Sequence, residues 1–181
     1  MVDALLKMDG EILLFIQDHI RQEWMDWFWK AVTHLGDGGV FWILLGIILL
    51  FSKKTRPAGV AALLALLVGA LITNVCLKNF VARIRPYEVV EGLRLMIERQ
   101  RDYSFPSGHT AASFASVTAL YLAGEKKMWK AALVLAVLIA LSRLYLYVHY
   151  PTDIIGGVLF GSLSGYLGYK IVEWIQKKKI K

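Results

Sequence analysis

The sequence predicts an all-α protein, a polytopic membrane helix bundle with five clear spans and amphipathic helices at its N-terminus. Three observations carry that prediction. Of 181 residues 57% are hydrophobic, and the mean hydropathy of +0.52 exceeds that of ordinary soluble domains. The apolar residues gather in runs at 39–52, 57–77, 110–123, 131–148 and 151–174, against a requirement of about 20 residues to cross roughly 30 Å of hydrocarbon. Short basic turns and longer polar loops alternate between the runs. The length leaves room for one domain, 1–181.

Residues 3–20 (DALLKMDGEILLFIQDHI) are amphipathic, and charges interrupt every window long enough to span. The start, MVDALLKMDGEILLF, carries neither the basic n-region nor the small-residue cleavage site of a signal peptide. Residues 22–34 add Trp24, Trp27, Phe28 and Trp29, an aromatic belt for a headgroup boundary. Residues 1–36 are therefore expected to lie at the interface, with insertion as a sixth span left open. The GDGG at 36–39 punctuates the chain. The short run 39–52 must borrow the preceding turn or tilt. Lys53, Lys54 and Arg56 close it, and Pro57 opens the next helix.

Residues 57–77 carry no charge. The polar loop 83–106 is expected to hold a short helix around Glu88–Arg99. The chain continues through Thr110–Ala123, the basic turn GEKKMWK (124–130), Ala131 to about Val148, and Pro151–Trp174. Gly157, Gly161 and Gly165 recur every four residues, a small-residue stripe for close helix packing. Cys76 is the single cysteine and forms no intramolecular disulfide.

The net charge of +7 is spread between apolar runs instead of forming an aromatic-studded patch, which argues against a nucleic-acid surface. Lys53, Lys54, Arg56, Lys126, Lys127, Lys130 and the lysine-rich tail fall, by the positive-inside rule, in the cytoplasm. Three polar stretches then share the extracytoplasmic face: Lys78–Pro86, Phe105–Thr110 and Ser142–Asp153.

Each stretch has a chemical reading and a plainer one. In SRLYLYVHYPTD (142–153), Pro151 breaks one helix and begins the next. His149 and Asp153, four apart, touch if the turn starts by residue 149 or 150. Asp153 then accepts a proton from one imidazole nitrogen, leaving the other lone pair free to attack. Arg143 supplies a permanent cation suited to phosphate or carboxylate. The plainer reading is a dipole-favoured Asp beside interfacial His and Arg. Lys78 and Arg85 are seven apart, about 10 Å along one helix face, and converge on one anion. Asn74 shares that face. Arg83 falls on another and is expected to snorkel. Interfacial anchoring is the alternative for the pair.

In Pro106-Ser107-Gly108-His109, a helix N-terminus offers unpaired N–H groups to an anion. Ser107 adds a hydroxyl, Gly108 a close backbone approach, and His109 a proton for a departing oxygen. A Pro-Ser cap with an interfacial His is the alternative. His19 and His34, the other two of four histidines, are expected at the interface.

Together these stretches read Lys78-x6-Arg85-Pro86, Pro106-Ser107-Gly108-His109 and Ser142-Arg143-x5-His149-x3-Asp153. In this the chain resembles the type 2 phosphatidic acid phosphatase (PAP2) superfamily, which includes bacterial membrane lipid phosphatases, glucose-6-phosphatase and vanadium haloperoxidases. All three blocks are present, in order and without substitution, and the hydrophobic pattern extends the resemblance over most of the chain. It implies His149 as nucleophile through a phosphohistidine, Asp153 fixing its tautomer, and His109 as general acid and later base. It implies that Lys78, Arg85 and Arg143 hold the phosphoryl oxygens with Ser107 and the Gly108 N–H. No metal and no cofactor are implied, and no Asp/Glu cluster with metal-ligand spacing accompanies the histidines.

The implied partners are a lipid phosphate substrate and membrane lipids, with no nucleic acid. The small bacterial members it looks like act on phosphatidylglycerophosphate, phosphatidate or undecaprenyl diphosphate. Retention of the lysine and of PSGH tilts the expectation toward a broad lipid phosphatase in a bacterial inner membrane. The loop 87–105 is expected to roof the site. Two rivals stand beside this reading: a lipid binder or flippase gripping a headgroup with the same cations, and a phosphoryl transferase. Neither histidine is explained by the first.

Overall fold

The computed structural model describes residues 2–90 and 95–180, and every regular element among them is helical. Helix α1 (Val2–Phe15) passes through a wide turn, Ile16–Ile20, into α2 (Glu23–His34). A tight turn at Asp37–Gly39 redirects the chain into α3 (Val40–Leu50). It needs its glycines: Gly38 and Gly39 have φ of 57° and 68°, where a side chain would be strained. Helix α4 (Arg56–Gly69) has Pro57 in its first turn, widens over Ala70–Leu77, and ends as α5 (Lys78–Val81). A single turn, α6 (Pro86–Val89), precedes α7 (Gly108–Leu122), α8 (Met128–Tyr145) and α9 (Pro151–Ile180).

Among the described residues, four segments are long and apolar enough to cross a bilayer: Glu23–Leu50, Arg56–Val89, Met128–Tyr145 and Pro151–Lys178. The fifth expected span is α7, whose 15 residues reach only about 22 Å. Its position explains the shortfall. Helix α7 is the post around which α4, α8 and α9 pack, and Thr110, Ala111, Ser113, Ala115, Ser116, Ala119 and Leu120 are all buried along it. A helix enclosed by protein need not match the hydrocarbon thickness. The first of these segments takes in α2, expected at the interface, together with the short run at 39–52, although the turn at Asp37–Gly39 redirects the chain between them.

Close approach is what the glycine stripe provides. A Cβ at Gly157 would sit 2.7 Å from Thr110 Cβ, and one at Gly165 would sit 2.6 Å from the Ala115 carbonyl. The α7–α9 contact therefore rests on backbone-to-backbone packing. On the other side of α7, Trp42 packs with Leu120, Ala136 and Ile139 and donates its indole N–H to Ser113 at 3.0 Å. Leu13 of α1 packs with Tyr87, Tyr145, Leu146 and Val148, so the N-terminal helix rests on the turn between α8 and α9. Outward faces carry exposed Phe51, Phe80 and Leu159, as lipid-facing surfaces do.

Two local expectations are corrected. The short helix expected around Glu88–Arg99 lies earlier, at Pro86–Val89, and residues 95–100 are not helical; 91–94 lie outside the described residues. Pro86 starts the turn, and the Tyr87 hydroxyl both donates to the Gln100 carbonyl and accepts its N–H, each at 3.1 Å, folding the loop back. The helix carrying Lys78 does not continue to Arg85. It stops at Val81, where Ala82 turns left-handed at φ 47°.

Candidate active site

The turn that carries His149 is built by local hydrogen bonds. After α8, the Leu146 N–H returns to Ser142 and the Val148 N–H to Arg143, with Tyr147 at positive φ. Pro151 then starts α9, and Asp153 reaches back from its first turn to accept the Tyr150 N–H at 2.9 Å. That is the backward half of a capping box, with Asp in the usual Glu position. The same oxygen, Oδ2, lies 3.3 Å from His149 Nδ1 and accepts from the Ser104 hydroxyl. A Nδ1–H facing a carboxylate leaves the Nε2 lone pair for the opposite side. There Nε2 stands 3.3 Å from Arg85 Nη1. Burial pushes His149 down to about 3, with the Arg85 and Arg143 charges adding to it against the pull of Asp153.

Arg85 arrives on extended backbone and is fixed on three sides. Nη1 donates to the Val148 carbonyl at 2.8 Å, Nε to the Asp102 carbonyl at 2.9 Å, and Nη2 to Asp102 Oδ1 at 2.6 Å. The other Asp102 oxygen pairs with Lys78. Burial alone would raise the Asp102 carboxyl; the Lys78 hydrogen bond and charge, with Arg85 beside it, hold it at about 2. Lys78 and Arg85 thus meet without sharing a helix.

Arg143 is 1% exposed. Its Nη1 donates to Thr33 Oγ1 at 2.6 Å, while Nε and Nη2 are buried with no hydrogen-bond partner among the described residues. Two orphaned guanidinium nitrogens inside a protein are costly unless a ligand completes them.

His109 stands in the first turn of α7, with Nε2 2.8 Å from Asp37 Oδ1, and Asp37 Oδ2 is 2.7 Å from His34 Nδ1. Gly36 backs the ring so closely that a Cβ there would lie 2.6 Å from His109 Cδ2. Gly108 faces Asn74, whose Oδ1 would be 3.2 Å from an added Cβ.

These groups surround a cavity of about 570 Å³. Lys78, Arg85, Gly108, His109, Arg143 and His149 line its polar end, together with Gln100 and Asp102 of the loop. Ile43, Leu63, Leu66, Leu67 and Ala112 line its apolar side. Two expected site residues stand outside it. Asp153 lies behind His149, as an orienting carboxylate would. Ser107 is turned away: its oxygen caps α7 by accepting the Thr110 N–H and hydroxyl, at 3.4 and 3.0 Å.

Arg83 does not snorkel. It donates to Asp153 Oδ1 at 2.7 Å and to Asp9 Oδ2 at 2.6 Å, because the turn at Ala82 swings it inward. Sequence reasoning also missed Asp9, Thr33, Asp37, Ser104 and Asp102. The GDGG punctuation was the one visible signal among them, since a turn that tight beside a site can present its Asp.

The constellation can bind a tetrahedral anion, attack it with Nε2, and protonate a leaving oxygen from His109. Comparison with known proteins agrees with it. The PAP2 superfamily model matches residues 58–177. The chain is 34% identical to an undecaprenyl-diphosphatase of Sulfolobus acidocaldarius, over 77% of this chain and 67% of that protein. It is also 34% identical to phosphatidylglycerophosphatase B of Bacillus subtilis, over 82% and 75%. The crystal structure of Aquifex aeolicus LpxE superposes with a TM-score of 0.76 at 31% identity, covering 88% of this chain and 93% of the other. With the three motif blocks folded into one cavity and the family pattern running from α4 through α9, the chain belongs to the PAP2 superfamily of phosphatases.

Proposed function

We propose that the protein is a metal-independent lipid phosphatase that hydrolyses a lipid phosphate or diphosphate through a phosphohistidine on His149. One observation carries this reading: the buried Arg143 guanidinium, with two of its nitrogens unfilled among the described residues, facing a cavity that also holds Lys78, Arg85 and His149. Such an arrangement is completed by phosphoryl oxygens.

In the first step Nε2 of His149 bonds to phosphorus as the P–O bond to the lipid breaks. His109 gives its proton to the departing oxygen. Asp153 keeps Nδ1 protonated and faces the positive charge that the ring acquires. In the second step His109 takes a proton from water, the water oxygen bonds to phosphorus, and the P–N bond breaks to free phosphate. Phosphoryl transfer asks for alignment and charge stabilisation, and three cations with the Gly108 N–H at the start of α7 provide both.

The apolar side of the cavity supports a lipid as the substrate, with phosphatidylglycerophosphate, phosphatidate and undecaprenyl diphosphate as candidates. Lys54 and the turn 124–128 border a separate depression. With that basic end in the cytoplasm, the phosphate end faces the extracytoplasmic side of a bacterial inner membrane. The test is phosphate release by purified protein in detergent with EDTA, each of the three lipids being offered in parallel. EDTA-resistant release, lost in His149→Ala, is expected. Release that EDTA abolishes, or that survives in His149→Ala, contradicts the reading. No release from any of the lipids by folded protein returns the headgroup binder.

A further inference from the structure

Asp9, on α1, is 0% exposed, although the helix around it is largely open. Its Oδ1 accepts the Thr152 N–H at 3.0 Å; its Oδ2 takes Arg83 Nη2 at 2.6 Å and also the Thr152 hydroxyl. Arg83 Nη1 donates to Asp153 Oδ1 at 2.7 Å and to Thr152 Oγ1 at 2.6 Å, and its guanidinium lies 3.9 Å from the Tyr150 ring centroid. The two oxygens of Asp153 are therefore divided. Oδ2 serves His149, Ser104 and the Tyr150 N–H, while Oδ1 is held by Arg83.

Charge makes this chain of contacts more than an anchor. Arg83 alone would cancel the negative charge of Asp153 on which His149 depends. Asp9 cancels Arg83 in turn, so the three groups Asp153, Arg83 and Asp9 keep one net negative charge on the Nδ1 side of the imidazole, opposite Arg85 at Nε2. That charge matters most when the Nε2–P bond forms, the P–O electron pair leaves with the oxygen, and the ring, still protonated at Nδ1, becomes cationic. The bond from Arg83 Nη1, steadied by Nη2 on Asp9, also fixes the Asp153 rotamer, and with it the aim of His149.

We propose that Asp9 and Arg83 are positioning residues for the His149–Asp153 pair, through which the N-terminal helix completes the catalytic centre. This rests on the reading of His149 as nucleophile. The alternative is that Asp9 merely docks α1 onto the start of α9.

The experiment is a double-mutant cycle with the full chain in detergent and phosphatidate as substrate. It uses Asp9→Asn, Arg83→Lys, Asp153→Asn and the corresponding doubles, with His149→Ala as control. Asp9→Asn is expected to lower kcat by about ten- to a hundred-fold, leaving KM and competitive inhibition by inorganic phosphate unchanged. In the Asp153→Asn background the same change is expected to cost nothing further, because its effect passes through Asp153. Arg83→Lys keeps the charge without the fork and is expected to follow the same pattern. It carries the test if Asp9→Asn does not fold.

A loss that appears in KM, a loss that multiplies undiminished with Asp153→Asn, normal kcat in both single variants, or the failure of both to fold would each overturn the proposal in favour of docking alone. Activity retained in His149→Ala would overturn the nucleophile assignment itself. The two failures are therefore separate results.

Discussion

Asp37 Oδ1 lies 2.8 Å from His109 Nε2 and joins a helix-connecting turn to the first turn of α7. The same carboxylate holds His34 at 2.7 Å, so a surface histidine, an aspartate and the proposed general acid form a line. Burial, with the Arg143 and Lys78 charges adding to it, pushes His109 down to about 4, and the Asp37 carboxylate opposes that shift in favour of the protonated imidazole that an acid must present. Asp37→Asn is expected to reduce kcat by about ten-fold or more, within the range that general acid catalysis supplies. The loss should depend on the leaving group: large for an alkyl phosphate, small for p-nitrophenyl phosphate, whose phenolate departs without a proton. Steady-state rates on both substrates, with His109→Ala alongside, check this. Equal losses on the two would place Asp37 outside the acid step.

Arg143 is held from α2 by Thr33. Thr33→Val removes the hydroxyl that orients Nη1 and leaves one more buried donor unfilled, at a cost of about 1–3 kcal/mol in stability. Its effect on the reaction should be in binding: KM rises and inorganic phosphate inhibits less well. Arg143→Lys is expected to be worse, because an ammonium cannot reproduce the fork. Inhibition constants for phosphate measured across the three proteins test the order.

His149 is pushed down to about 3, chiefly by burial, so the proposed nucleophile stays neutral through the range where a free imidazole titrates. The acid limb of kcat/KM should therefore not fall at the ordinary histidine value near 6.5 on account of His149. Stability follows the same linkage. Below about 6.5 the unfolded chain takes up a proton that the folded ring refuses, so stability falls with pH from there toward 3. Melting temperatures in detergent at pH 7.5 and 4.5 should differ less for His149→Ala than for the wild type.

Gly165 meets the Ala115 carbonyl with 2.6 Å to an added Cβ. Gly165→Val forces α9 away from α7, and overpacking of this kind costs about 1–3 kcal/mol. A lower melting temperature in detergent is expected, with a smaller loss for Gly10→Val, where no atom lies within 4 Å of an added Cβ.

Much of this was legible in the chain, because hydropathy, basic turns and the three polar blocks are local properties. They gave the all-helical membrane architecture, the shared face of Lys78, Arg85, Gly108, His109, Arg143 and His149, and the His149–Asp153 contact. What stayed hidden depends on contacts between distant segments or on one dihedral angle. Ala82 turns left-handed without the glycine that would announce it, so the spacing alone places Arg85 on a continuing helix and leaves Arg83 to snorkel or meet headgroups. Asp9, Thr33 and Asp37 sit in a stretch whose aromatic and amphipathic pattern reads as interfacial. Only the fold brings their polar tips to Arg83, Arg143 and His109. The length of α7 misled for a related reason: hydropathy measures a helix against lipid, and this one is measured against its neighbours.

The central claim is a covalent bond between His149 and the transferred phosphoryl group, and rapid quenching during turnover of a lipid carrying a radiolabelled phosphate tests it directly. The account predicts label on the protein within a turnover, acid-labile and alkali-stable, in the peptide bearing His149, and absent from His149→Ala. Release of phosphate by the wild type at full rate, with no protein-bound label at any time, would mean that water attacks the lipid phosphate in one step.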